Sequence, residues 1–285
     1  MNTQERRPPH NQIPPYVRDF KDLKQKIGIG EVKSLQRPQA KSHKGDNGKL
    51  LILGGSAKYH GAPLLAAKIA SKIVDLVYFS STEGNTQLLQ KMKSKLCEFI
   101  AVPQAEILET AKKVDAILIG PGMKVDKKLT ALIKKLPKIP IVLDAGALVT
   151  SHLPLITSHY ILTPHQQEFK RLFGLSATKE NLREMAKKYN CTIVLKGPID
   201  YVANAEKLKL NRTGNAGMTK GGTGDVLAGL IASLACKNEP FLAASAGVFL
   251  NGLAAQRLAK KVSTHFNASD LIEEIPRTMK YCENF

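Results

Sequence analysis

The feature that most constrains this chain is a recurring short apolar run that ends in glycine or a polar residue. The runs are KLLILGG (Lys49–Gly55), DAILIGPG (Asp115–Gly122), IPIVLDAGAL (Ile139–Leu148), HYILTPH (His159–His165) and CTIVLKGP (Cys191–Pro198). A continuous apolar run of this length reads as a strand buried on both faces. DLVYFSS and EFIAV read as further strands, and helical spacing fills the intervals between. GAPLLAAKIASKI (Gly61–Ile73) carries proline near its start, where the missing N–H costs nothing. NTQLLQKMKSKL and AEILETAKKV are the next helices. Strands alternating with helices specify a mostly parallel central sheet covered on both faces, a three-layer α/β/α sandwich. Ligands of such sheets sit at the carboxyl ends of the strands, so GGS, GPG, DAG, TPH and LKG should share one edge.

Residues 1–40 are polar and proline-dotted and read as an arm with a short helix around Phe20–Lys26; residues 41–285 read as one domain. YVANAEKLKL reads as a hairpin turning at Asn204-Ala205-Glu206. A helix is expected from Asp225 to about Cys236, then the long small-residue helix PFLAASAGVFLNGLAAQRLAKK, then a helix from about Ala268. Asn267 or Ser269 can cap the last one, and Asp270 suits its first turn. The small residues of AASAG and LNGLAA permit close packing, either inside the fold or between subunits. No apolar run reaches the roughly 18 residues of a membrane span, and the N-terminus has no apolar signal core. Cys97, Cys191, Cys236 and Cys282 show no CxxC spacing, which disfavours a disulfide framework or zinc site and fits a reducing cytoplasm. Lys+Arg 42 against Asp+Glu 24 gives +18, which suggests either an anionic partner or simply solvated helix faces. The lysines come in scattered pairs and there is no Trp, so a nucleic-acid surface is poorly supplied and no nucleic-acid partner is expected.

Chemistry concentrates in NRTGNAGMTKGGTGDVLAGL, Asn211 to Leu230, which holds six of the 21 glycines. A helix start offers unpaired N–H donors and the positive end of a dipole, and glycines let an oxygen come close to the backbone. Gly222, Thr223 and Gly224 before an apolar helix therefore read as an anion hole rather than a plain tight turn. Asp225 is either a favourable first-turn residue or a general base beside that hole. A base and a backbone cradle are nearly sufficient for phosphoryl transfer, where the protein mainly positions and neutralises. GxxxxGK[ST] is absent, and no GxGxxG follows the first strand. No GxSxG nucleophile turn and no metal-ligand spacing occur either.

This stretch resembles the GxGD signature of the ribokinase-like superfamily, and most closely that of the ADP/ATP-dependent NAD(P)H-hydrate dehydratases. SHKGDNGKLLILGGSAKYHGAPLLAAKIASK, AILIGPGM, IVLDAGAL, ILTPHQQEF and TIVLKGP resemble the same family in the same order, together spanning about Ser42 to Gln256. The resemblance implies a hydro-lyase of ribokinase-like fold. It would phosphorylate the added hydroxyl of hydrated NADH or NADPH (NADHX, NADPHX) with ADP or ATP, then eliminate phosphate. By motif, Asp225 would be the base and Gly222, Thr223 and Gly224 the anion hole. Lys196, Gly197, Pro198, Ile199, Asp200 and Gly224 would bind the nucleotide. Ala62, Gly122 and His165, with Asp225, would contact the hydrate. Mg²⁺ would serve as phosphate counter-ion, and the family suggests a homo-oligomer, often a tetramer.

The chain departs from the pattern at Gln166, where the family usually has proline, while Glu168 is kept. Pro198, Ile199 and Asp200 are less polar than usual, so nucleotide contacts there would be mainly backbone. Only about 40 residues precede the sheet, so the epimerase half of the bifunctional relatives is not expected. His43 and Lys44 in HKGDNG read equally as a turn or a ligand contact from the residues, and the resemblance favours contact. Lys196 at the ligand edge reads as a phosphate contact rather than a solvated lysine. Asp144 reads as a structural turn residue rather than a ligand of Mg²⁺-bound water. His165 is open between a structural and a ligand role. Two other functions remain: a small-molecule kinase of the same fold acting on a vitamin-precursor alcohol, and a nucleic-acid binder on a kinase-like scaffold.

Overall fold

The computed structural model describes residues 25–82, 84–85, 87, 97–124 and 127–284. Among the described residues nine strands form one sheet in the order β3-β2-β1-β4-β5-β6-β7-β8-β9. They are β1 (Lys49–Leu53), β2 (Leu76–Ser80), β3 (Ile100–Ala101), β4 (Ala116–Ile119), β5 (Ile141–Leu143), β6 (Tyr160–Leu162), β7 (Thr192–Leu195), β8 (Asp200–Ala203) and β9 (Leu208–Asn211). The first seven pair in parallel, and the β8–β9 hairpin is added antiparallel to β7. The helices are α1 (Ile29–Lys33), α2 (Gly61–Ala70), α3 (Ile107–Ala111), α4 (Lys127–Ile133), α5 (Gln166–Phe173), α6 (Lys179–Lys188), α7 (Thr223–Ala235), α8 (Pro240–Val262) and α9 (Ala268–Glu283).

Side chains alternate across a strand, so each apolar run feeds two cores. Leu50 and Ile52 face one core while Leu51 and Leu53 face the other. Leu118, Val142, Ile161 and Val194 repeat the first choice on neighbouring strands, and Ile117, Ile141, Leu162 and Ile193 the second. The first core is closed by α2, α7, α8 and α9, the second by α3 to α6. The mostly parallel three-layer architecture expected from the alternating runs is therefore the one observed. Among the described residues no helix is long and apolar enough to cross a membrane.

The part of the N-terminal arm from residue 25 onward is attached to the domain. Ile27 N–H donates to Leu210 O of β9 at 2.9 Å, and Ile27, Val32 and Leu35 lie in the first core. The helix expected around Phe20–Lys26 lies, through residue 24, outside the described residues. So does the one expected over Asn85–Leu96, apart from Asn85 and Gln87. Helix α9 starts as the sequence suggests. Asn267 accepts from the N–H groups of Ser269 and Asp270, and Asp270 returns a bond to Asn267 N–H.

The small residues of α7 and α8 are used inside the fold. A Cβ on Gly229 would lie 2.7 Å from Ala66 Cα and O of α2, and one on Gly247 would lie 2.6 Å from Ile231 Cγ1 of α7. A Cβ on Gly252 would meet Thr213 Oγ1 at 2.2 Å. Helix α7 is thus pressed against backbone on one side and against α8 on the other. Gly229→Ala must push α2 and α7 apart and should cost about 1–3 kcal/mol in denaturant unfolding. Gly221→Ala, whose Cβ meets nothing within 4 Å, should stay within about 0.5 kcal/mol.

Candidate active site

The carboxyl ends of β1, β4, β5, β6 and β7 open onto one rim, and the amino end of α7 completes it. Helix α7 begins at Thr223, two residues earlier than the sequence suggested, so Asp225 is its third residue. Gly222 caps it with φ +94°, a conformation for which glycine is suited. The Thr223 hydroxyl donates back to Met218 O at 2.6 Å and Lys220 O at 3.0 Å, locking the turn. Thr223 N–H reaches Lys220 O at 3.5 Å, while the N–H groups of Gly224 and Asp225 have no acceptor among the described residues. These are the orphan donors of a helix start, the kind of group that anions pair with.

Asp225 stands in a cluster of charge. Burial pushes its carboxyl up to about 6, and the neighbouring carboxylate of Asp144 pushes the same way; Lys196 pulls against them and Glu168 adds a smaller upward push. Lys196 follows β7. Its Nζ bonds Asp144 Oδ1 at 2.9 Å and lies 3.9 Å from Glu168 Oε2. It also lies 3.8 Å from where a Cβ on Gly224 would stand. Burial works against the Lys196 ammonium, yet Asp144 and Glu168 outweigh it and hold the group above its ordinary pKa. Among the described residues no three His, Cys, Asp or Glu side chains converge as a metal site; three carboxylates instead surround one ammonium.

His165 is the N-cap of α5. Its Nδ1 accepts from the N–H groups of Gln167 and Glu168 at 3.1 and 3.2 Å, and Glu168 Oε2 accepts from His165 N–H at 2.9 Å. Its ring is therefore committed through Nδ1, and Nε2 is the atom left toward Glu168, at 3.5 Å. The spacing of His165 and Glu168 is that of a capping box, with histidine in the place usually held by Ser or Thr. Gln166 is the first residue of α5. Proline is favoured at that position because its lacking N–H is unused there, so the Gln166 departure disturbs little.

Ala62 and Gly122 are brought together. Gly122 has φ +68°, and a Cβ there would lie 3.2 Å from Ala62 Cβ and 2.8 Å from Tyr59 O. The GPG loop also touches the DAG loop, since a Cβ on Gly120 would fall 1.8 Å from Asp144 O. The loop from Lys196 to Asp200 is tied at both ends. Lys196 N–H donates to Pro164 O at 2.9 Å, and Gly197 N–H donates to Asp200 Oδ1 at 3.1 Å. Asp200 Oδ2 accepts from Asn211, and burial pushes this carboxyl up to about 6. Pro198 is exposed and Ile199 half-buried. Asp200 thus spends its side chain closing the loop, and the surface it offers outward is backbone and Pro198.

Two readings of the sequence need correction. HKGDNG forms a turn before β1, where Asp75 accepts from the N–H groups of Gly45 and Asn47 at 2.8 and 3.0 Å. That is the amino edge of the sheet, opposite the rim, so turn chemistry and not rim contact describes His43 and Lys44. Asp144 is more than a turn residue: it is 2% exposed and ion-paired with Lys196 in the rim. The only available signal was its place at the end of a strand, which does not reveal a partner 52 residues away.

A parallel sheet closed by an antiparallel hairpin, with a glycine-rich helix start that carries a half-buried acid, defines a ribokinase-like enzyme. The sequence profile of the NAD(P)H-hydrate dehydratases matches residues 50–277, and the chain belongs to that family. It is 38% identical over 263 residues to the ADP-dependent (S)-NAD(P)H-hydrate dehydratase of Nitrosopumilus maritimus, covering 85% of this chain and 92% of the relative. It is 38% identical over 265 residues to the bifunctional NAD(P)H-hydrate repair enzyme of Methanocaldococcus jannaschii, covering 89% of this chain and 52% of that one. The chain thus spans about half the length of the bifunctional relatives it matches. A solved ADP/ATP-dependent NAD(P)H-hydrate dehydratase from Bacillus subtilis, co-crystallised with ATP and Mg²⁺, superposes with TM-score 0.81 at 29% identity, covering 93% of this chain and all of that one.

The charge on Asp225 is held at a cost to folding. Its folded pKa lies above the unfolded value near 3.8, so ionisation destabilises the fold above about pH 6 and has no effect below about pH 3.8. Asp225→Asn should therefore raise stability by about 1–2 kcal/mol at about pH 8, after allowance for its partial exposure, and leave it unchanged at about pH 3.5. Denaturant midpoints at the two pH values check this.

Proposed function

We propose that the protein dehydrates the (S)-hydrates of NADH and NADPH at the expense of ADP, a nucleotide-repair reaction that returns NAD(P)H and releases AMP and phosphate. One observation carries this reading: a half-buried carboxyl raised to about 6 stands in the first turn of α7, beside backbone N–H groups without acceptors. Asp225 takes the proton of the substrate hydroxyl as that oxygen attacks the terminal phosphoryl group of ADP. The bond to AMP breaks, and the N–H groups at Gly224 and Asp225 neutralise charge on the group in flight. Phosphate then leaves the ring carbon as the adjacent carbon gives up a proton, and the dihydronicotinamide double bond returns.

In this reading Gly222, Thr223 and Gly224 form the anion hole, and Lys196 to Asp200, with Gly224, line the AMP phosphate. Ala62, Gly122 and His165 contact the hydrate. The contact of Ala62 with Gly122 and of Lys196 with the start of α7 supports these groupings. Magnesium enters as counter-ion of the nucleotide phosphates, as part of the substrate. The preference for ADP over ATP rests on the likeness to the Nitrosopumilus enzyme, which is named ADP-dependent. The reading also includes a homo-oligomer, taken as a tetramer, and a reducing cytoplasm, for which four free thiols are suited.

Incubation with hydrated NADH and ADP should restore the near-ultraviolet absorbance of the dihydronicotinamide. The base works when ionised, so kcat/KM should fall as pH drops through about 6. Asp225→Asn should lower kcat by about 10²–10⁴-fold while ADP binding by calorimetry persists. Failure of the wild type to restore absorbance, with phosphorylation of a hydroxymethylpyrimidine instead, would favour the vitamin-precursor kinase.

A further inference from the structure

We propose that Asp144 is a positioning residue: its buried carboxylate moors the Lys196 ammonium over the amino end of α7 and keeps it from pairing with Asp225. The inference rests on the reading of Asp225 as the general base.

The geometry begins with burial. Asp144 is 2% exposed, and one oxygen, Oδ1, accepts from both Lys196 Nζ at 2.9 Å and Thr163 Oγ1 at 2.7 Å. A buried carboxylate is tolerated only when paired and hydrogen-bonded in this way. The backbone is bent to place it. Ala145, the next residue, has φ +45°. A left-handed non-glycine residue is strained and persists only where its surroundings enforce it. Here the surroundings are the GPG loop and Met123. A Cβ on Gly120 would fall 1.8 Å from Asp144 O, and one on Gly146 would fall 2.1 Å from Met123 O.

What the mooring prevents follows from what faces the base. The charged groups facing Asp225 are Asp144 from the end of β5, Lys196 from the end of β7, and Glu168 from α5. Lysine is a compact charge on a flexible stem. Released from Asp144, it is left with Glu168, at 3.9 Å, and with Asp225 itself. Asp225 would then lose an anionic neighbour and gain a closer cation, and both changes favour its ionised form. The base would weaken, and the cation would be withdrawn from the position beside Gly224 where a phosphate arrives. A purely architectural aspartate would hold the DAG loop, and its loss would lower the Asp225 carboxyl only through the missing negative charge, leaving KM for ADP unchanged.

The test uses the full chain and Asp144→Asn, which keeps an oxygen for the Thr163 hydroxyl. The acid limb of kcat/KM for hydrated NADH should move down by about 1 pH unit. The kcat should fall about tenfold and KM for ADP should rise about tenfold. Carbon-13 carboxyl NMR of Asp225, assigned with Asp225→Asn, should show the same downward move without any turnover. Asp144→Glu should return the limb toward the wild-type position. An unmoved NMR titration, or a moved one with KM for ADP unchanged, overturns the mooring, whatever happens to kcat. Wild-type turnover with no shift in the variant sinks the mooring and spares the dehydratase reading. A downward NMR move in Asp144→Asn, with KM for ADP raised, beside a wild type that never restores dihydronicotinamide upholds the mooring and sinks that reading. Should Asp144→Asn not fold, Thr163→Val removes the other bond to Oδ1 and should show a smaller shift in the same direction; no shift there overturns the proposal.

Discussion

The rim depends on how tightly α7 is seated against α2. Gly229 has backbone of Ala66 where its side chain would be, and from Val226 to Ala235 every residue of α7 is buried. A helix that is apolar on all sides has no solvent face to mark its orientation, so its position must be set by contact. Here contact with α2, α8 and the sheet holds the first turn of α7 at the carboxyl edge. That placement withdraws Asp225 from water, exposes the two orphan N–H groups to the rim, and brings Lys196 beside Gly224. The same close seating is thus responsible for packing and for the local electrostatics.

The electrostatics are a balance between terms of opposite sign. Burial and the carboxylates of Asp144 and Glu168 raise the Asp225 carboxyl, and Lys196 restrains it; the outcome is about 6. A carboxyl with that value is ionised at neutral pH and still accepts protons well. Lys196 is caught in a reciprocal balance, opposed by burial and favoured by the carboxylates around it.

Residues that act through the backbone were legible, and residues that act through distant side chains were not. Gly222 announced a helix start because glycine before an apolar run serves conformations other residues avoid, and it indeed lies at φ +94°. His165 announced only an edge position; its work as a helix cap uses Nδ1, which the sequence reveals only through Glu168 three residues on. Asp144 looked like a turn because its partner Lys196 follows two strands later in the chain. HKGDNG reads equally as turn or ligand contact from its residues and is tilted toward contact by the family resemblance, but it lies at the amino end of the first strand, away from the rim.

The amino-acid sequence alone determined the alternation of strands and helices, the edge on which the loops would gather, and the glycine-rich start of a helix that carries an acid. Those are properties of local periodicity and backbone freedom, and a few consecutive residues encode them. The tertiary structure alone decided which charges share the rim, how far Asp225 is withdrawn from water, and which glycines of α7 and α8 serve packing. Those depend on distances between segments far apart in the chain, and electrostatic energy and close packing are set by such distances rather than by residue order.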